Sequence, residues 1–324
     1  MNPVLAREAK QRFRGRRAGA TILFWVGLLG ALTFLLYIAS REVAINRFGV
    51  GQLAATAFMG RFMFHSIALL LLTAVILVVP AIAAPSIVGE RERQTFQILQ
   101  VTQMGPWQLV LGKLAASMAF AMILLIAVVP IAAIPLLFGG ASVGDVLAVV
   151  AMLVLTSLTL ASVATWTSSR AASTRGSVMG AYAVAFSLAF LSFVSLGAEF
   201  LAIELLADGG VNANQDREWI SALPNPYFGL VSAVEHPLGA GSAGDTIFAP
   251  FQALLHLRQG DSLDNFGVGG VVGEPIDLKR PPVWIYTTVI YLGITGLSLW
   301  RASMNVRAPS THIKRVKRHK GDDG

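Results

Sequence analysis

Four consecutive charged residues, Glu90, Arg91, Glu92 and Arg93, lie between two long apolar runs, residues 63–84 and 114–138. Alternating acids and bases of this kind suit ion pairing and docking rather than bond-breaking chemistry. The usual signs of catalysis are missing elsewhere. No phosphate-binding G-x-x-x-x-G-K-[ST] string occurs; the stretch from Gly105 to Gly112-Lys113 has the wrong spacing and continues into Leu114. The glycine cluster at 267–270 follows no strand pattern. Five histidines (65, 236, 256, 312 and 319) show no metal-ligand spacing, and His65 has no second ligand spaced with it. No serine is set beside a histidine base. With no cysteine, thiol chemistry and disulfides are excluded. Glu199 and Glu204 are five positions apart, about 140° around a helix, so they do not pair on one face.

The elements that must position the charged cluster are apolar. Of 324 residues, 55% are hydrophobic and 13% charged, about half the charge of a soluble domain. A bilayer crossing needs about 20 predominantly apolar residues. Six runs meet this: 21–39, 63–84, 114–138, 146–168, 177–207 and 282–300. The chain therefore reads as an all-α integral membrane protein. The interiors of the six runs carry no Asp, Glu, Lys or Arg, Glu199 and Glu204 standing near the outer end of the fifth, whereas an ion-coupled transporter needs such groups, or broken helices, near the midplane. Driven work would then draw its energy from another polypeptide.

Charge placement sets the expected topology. With the N-terminus in the cytoplasm, 18 basic residues fall in inner segments and 7 in outer ones, so both termini are expected to be cytoplasmic. The net charge of +7 is accounted for by this asymmetry and by anionic lipid, not by nucleic acid. Residues 1–20 read as an interfacial helix: Asn2 fits an N-cap, Pro3 the first helical position, and Leu5, Ala9 and Phe13 form one stripe. Residues 40–62 read as an outer loop, and Pro85 as the end of span two. The fifth run, at about 46 Å if wholly helical, exceeds the hydrocarbon core of about 30 Å, so its last part is expected to leave the bilayer or break. Residues 208–281 form a large outer loop with short helices at 225–234 and 247–257. Residues 301–324 form a basic cytoplasmic tail.

Glu90-Arg91-Glu92, Thr95-Phe96, Ile98-Leu99, Thr102, Leu109-Val110 and Gly112-Lys113 resemble the intracellular coupling segment of type-2 ABC exporter permeases, the type V exporter fold. The usual form is E-R-E-x-G-T-L-x-x-L-L-x-T-P, a turn, and a helix ending V-L-G-K. Gln94 stands where glycine is common, which allows continuous helix there. Gln103 stands where proline is common, leaving Pro106 to supply the break. The order of elements is also similar: elbow helix, two spans, coupling helix, three spans, long outer element and final span.

The resemblance implies a six-span domain over 21–300, with a cytoplasmic coupling helix inside segment 85–113. It implies a homodimer or heterodimer of permeases on cytoplasmic ATPase subunits. ATP and Mg would bind the ATPase, with no cofactor and no catalysis in this chain. Glu90, Arg91, Glu92, Arg93, Thr95, Phe96, Leu99 and Trp107 would form the ATPase-coupling surface, and spans two and five the cargo cavity in the cell membrane. The rival readings are a stand-alone secondary transporter or channel, and a membrane-embedded enzyme or assembly factor. On the blandest reading, the charged run is a solvated inner loop. Its two glutamates count against that, because the positive-inside rule asks for none.

Overall fold

The computed structural model describes residues 16–48, 53–94, 105–139, 141–206, 219–234, 251, 255, 258 and 281–306. Every element among them is helical. The chain runs through α1 (Arg16–Phe48), α2 (Leu53–Ala83), α3 (Pro85–Glu92) and α4 (Pro106–Ala132). It continues through α5 (Val143–Arg170), α6 (Thr174–Phe186), a π-helical turn (Ser187–Leu191) and α7 (Ser192–Leu206). α8 (Pro226–Val234) and α9 (Val283–Val306) complete it. Six helical stretches are long and apolar enough to cross a membrane: 23–46, 55–92, 106–138, 143–170, 174–203 and 283–306. In hydrocarbon, backbone groups have no water to bond, so apolar runs fold into helices that satisfy them internally.

Several boundaries differ from the sequence expectation. Residues 40–62 are mostly helix, since α1 continues to Phe48 and α2 begins at Leu53. Arg41, Glu42 and Arg61 therefore lie on helices that extend beyond their apolar stretch, where polar side chains cost nothing to solvate. Pro85 does not turn the chain away. Ala84 keeps helical angles, and its N–H donates to the Pro80 carbonyl (2.9 Å), so α3 extends α2 after a one-residue interruption. The fifth run does not break before Leu206; it absorbs a π-turn instead. Residues 1–15, which carry most of the expected elbow helix, lie outside the described residues. So do all of the expected 247–257 helix except Phe251 and Leu255, and the tail beyond Val306.

The core is organised around α5, which packs against α9, α2, α6, α8 and α4. Its buried face is small and hydroxylated: Thr156, Ser157, Thr159, Ala161, Ser162, Ala164 and Thr165 are all almost fully covered. Small side chains let helices approach closely where apolar burial alone offers no drive between them. The hydroxyls bond back to their own helix, Ser157 to the Leu153 carbonyl and Thr165 to that of Ala161 (both 2.7 Å). Cross-helix contacts of α5 include Thr295 Oγ1, 3.3 Å from Thr159 Oγ1, and Asn305 Nδ2, which donates to Ser169 Oγ at 2.9 Å.

At one end of the bundle, α8 is wedged between α5 and α9. Thr287 Oγ1 donates to the Leu223 carbonyl (2.8 Å) and Tyr291 Oη to that of Pro224 (3.1 Å). A Cβ on Gly229 would stand 2.9 Å from both Met152 Cε and Thr287 Cγ2, so any larger residue there would force one or both to shift. α3 lies at the other end.

Candidate functional site

Two places combine charge, broken helix hydrogen bonding or open volume: the joint around α3, and a cleft between α2 and α7. The joint arises from Pro85. A new helical segment beginning there has N–H groups without intrahelical acceptors. Ser168 Oγ of α5 accepts two of them, from Ile87 (2.9 Å) and Val88 (3.0 Å). The Ala84 carbonyl, freed on the other side of the break, accepts from Ser177 Oγ of α6 at 2.8 Å. Both serines are fully buried.

The charged end of α3 is tied in turn. Glu90 pairs with Lys113 of α4 through Oε1 and Nζ; the lysine side chain is only 3% exposed and that of Glu90 24%. Glu92 accepts from both Thr174 N and Thr174 Oγ1 at 2.7 Å, which sets a carboxylate at the start of α6 where helix polarity favours negative charge. The stretch 55–92 is 38 residues, about 57 Å of helix, longer than a hydrocarbon core of about 30 Å. Ile87 is buried in a small cluster with Leu109 and Val110 of α4 and Ala302 and Val306 of α9. Two turns of helix thus touch four other helices.

The helix stops at Glu92. Arg93 N donates to the Gly89 carbonyl (3.2 Å) and Gln94 N to that of Arg91 (3.0 Å), and Gln94 itself has φ +58°. The continuous helix allowed at Gln94 is therefore not formed. Gln94 instead adopts the left-handed conformation that glycine takes freely at a helix C-terminus. Arg93 and Gln94 are exposed, Arg91 is half-buried, and Trp107 in the first turn of α4 is 42% exposed. Thr95, Phe96 and Leu99 lie outside the described residues.

Of the sequence-predicted set, Glu90 turns inward to Lys113, Glu92 is exposed but bonded to Thr174, and Arg93 and Trp107 face outward. The residues that complete the joint, Ser168, Thr174 and Ser177, carry no such signal in the sequence. One clue was present: a proline at a span end leaves N–H groups that need an acceptor from another helix.

The cleft has a volume of about 510 Å³ and is lined by Leu69 and Thr73 of α2, Ala189 and Phe190 of the π-turn, Phe193 and Val194 of α7, Tyr227 of α8, and Phe251. Thr73 Oγ1 donates to the Leu69 carbonyl (2.8 Å), so its 3.0 Å contact with Tyr227 Oη takes the tyrosine as donor. Phe251 meets Phe193 and Phe228 edge-on at 5.5 and 5.1 Å between centroids, a preferred aromatic geometry. The lining is otherwise apolar, so the cleft can take a hydrophobic body with one polar contact at Thr73–Tyr227. Among the described residues no group of three or more His, Asp or Glu is placed to hold a metal ion.

No protein-family model matches the chain, and comparison with curated proteins returned no match.

Proposed function

We propose that this chain is the membrane-spanning permease subunit of an ATP-binding cassette exporter, driven by a separate cytoplasmic ATPase. The joint at α3 carries the reading. A charged helix end that is hydrogen-bonded or ion-paired to α4, α5 and α6, and packed against α9, makes any displacement of that end a displacement of the bundle. A merely solvated loop needs no such ties. The glycine-like φ of Gln94 supports it further, because the exporter pattern this segment resembles commonly has glycine there.

In this reading the α3 end and both termini face the cytoplasm of the cell membrane, and Arg93, Trp107 and the residues between them meet the ATPase. Glu90 and Glu92 act behind that surface, passing motion to α4 and α6. A second permease copy completes the complex, and cargo moves along the cleft side of α2 and α7. The chain performs no catalysis; ATP and Mg bind its partner.

Purification of the tagged chain from its native membrane in mild detergent tests the proposal. The expected result is co-elution of an ATP-binding subunit, lost in the Arg93→Glu/Trp107→Ala variant, which leaves the Glu90–Lys113 pair in place. The reading fails if no such subunit co-elutes. Transport that persists in vesicles without ATP would favour a secondary transporter.

A further inference from the structure

The π-turn at 187–191 is placed in the wall of the cleft, and one side chain just before α8 holds it. A π-turn inserts one residue into an α-helix and disturbs the hydrogen-bond ladder, so its carbonyls need other donors. Two successive carbonyls find them in side chains. Ser192 Oγ donates to the Leu188 carbonyl at 2.5 Å, and Asn225 Nδ2 donates to that of Ala189 at 3.2 Å. The same Asn225 amide also donates to Ser192 Oγ at 2.9 Å. Its other end, Oδ1, accepts from Tyr227 N (2.8 Å) and Phe228 N (3.4 Å), capping α8. Asn225 is fully buried, with both donors and its acceptor in use.

We propose that Asn225 is a latch that sets the rotational register of α7, and with it the side chains that wall the cleft. If the extra residue of the π-turn is released into ordinary α-helix, every position beyond it turns by about 100° and rises about 1.5 Å. Each residue then takes the place of its successor. Ser192 comes to stand where Phe193 stands and Phe193 where Val194 stands, so a hydroxyl replaces an aromatic ring in the lining. Leu196, now 2% exposed, turns outward, and Ser195 takes its buried place. The π-turn persists because Asn225, fixed at the start of α8 between α5 and α9, donates to the Ala189 carbonyl and to Ser192 Oγ, which in turn donates to the Leu188 carbonyl. The latch does not depend on what drives the transporter, so its failure and that of the exporter reading are distinguishable.

The absence of cysteine gives a clean background for testing it. Single cysteines at positions 185, 195 and 196 are spin-labelled in lipid nanodiscs, and oxygen accessibility is measured by power saturation. With Asn225 intact, 185 and 196 read as shielded and 195 as accessible. In Asn225→Ser, which keeps a capping oxygen for α8 but cannot supply both donors, the values at 195 and 196 exchange while that at 185 is unchanged. Asn225→Asp gives the same exchange. Tyr227→Phe, which breaks only the tie to Thr73, leaves all three values as they were. The proposal is overturned if 195 and 196 keep their values in both Asn225 variants. It is equally overturned if 185 changes with them, since that means general loosening rather than a turn of α7.

Discussion

The two ends of the bundle are held by different physics. At the α3 end, formal charge does much of the holding: a buried lysine faces Glu90, and Glu92 caps α6. At the α8 end, neutral groups and close packing do it: Asn225, Thr287, Tyr291 and a glycine crossing with no room for a methyl group. Charge-based ties are strong when complete and costly when one partner is lost. Packing-based ties depend on shape and tolerate little change in volume. The first suits an end that transmits a push, the second an end that fixes the outline of a cleft.

Breaking the charge tie should have the largest effect. Glu90→Gln removes the carboxylate that the covered Lys113 faces, and should cost about 3 kcal/mol. It should lower the melting temperature of the chain in detergent, and most of the loss should be recovered in Glu90→Gln/Lys113→Met. An unchanged melting point in the single variant would show that the α3 end is not held by charge.

At the other end, Gly229→Ala forces a methyl group against Met152 and Thr287. It should cost about 2 kcal/mol by overpacking. The same melting assay reads it, and Met152→Ala should relieve part of it by removing one of the two obstructions.

The smallest expected effect has the opposite sign and sharpens the contrast between the ends. Gln94 occupies a left-handed conformation that is unfavourable for residues other than glycine by about 1 kcal/mol. Gln94→Gly should therefore raise stability by about that amount. A loss of stability would mean that the glutamine side chain holds the end of α3 in some other way.

The six long helices were legible in the sequence because each contains an apolar run of membrane length, a local property. Their ends were less so. Arg41, Glu42 and Arg61 read as loop residues, but the helices are longer than their apolar stretches and carry these residues along. Pro85 read as a terminator because the local rule is sound; the rule says nothing of Ser168, 83 residues further on, which satisfies the interrupted helix. The charged cluster was visible as a cluster, whereas the pairing of Glu90 with Lys113 and of Glu92 with Thr174 was not, since it depends on where α4 and α6 lie. Asn225-Pro226 does carry a helix-start signal, and α8 begins there. The π-turn has no comparable mark, because its hydrogen bonding depends on an amide 36 residues away.

The seat of α8 also constrains the order in which the molecule can be completed. Gly229 lies against Met152 on one side and Thr287 on the other, and Thr287 belongs to the last helix of the described chain. During synthesis the α5 wall emerges first, α8 next, and the α9 wall only afterwards. A nascent chain stopped short of α9 has half a socket for α8, without the hydroxyls of Thr287 and Tyr291 that anchor the residues leading into it. The cleft therefore takes its final form only once α9 has been made.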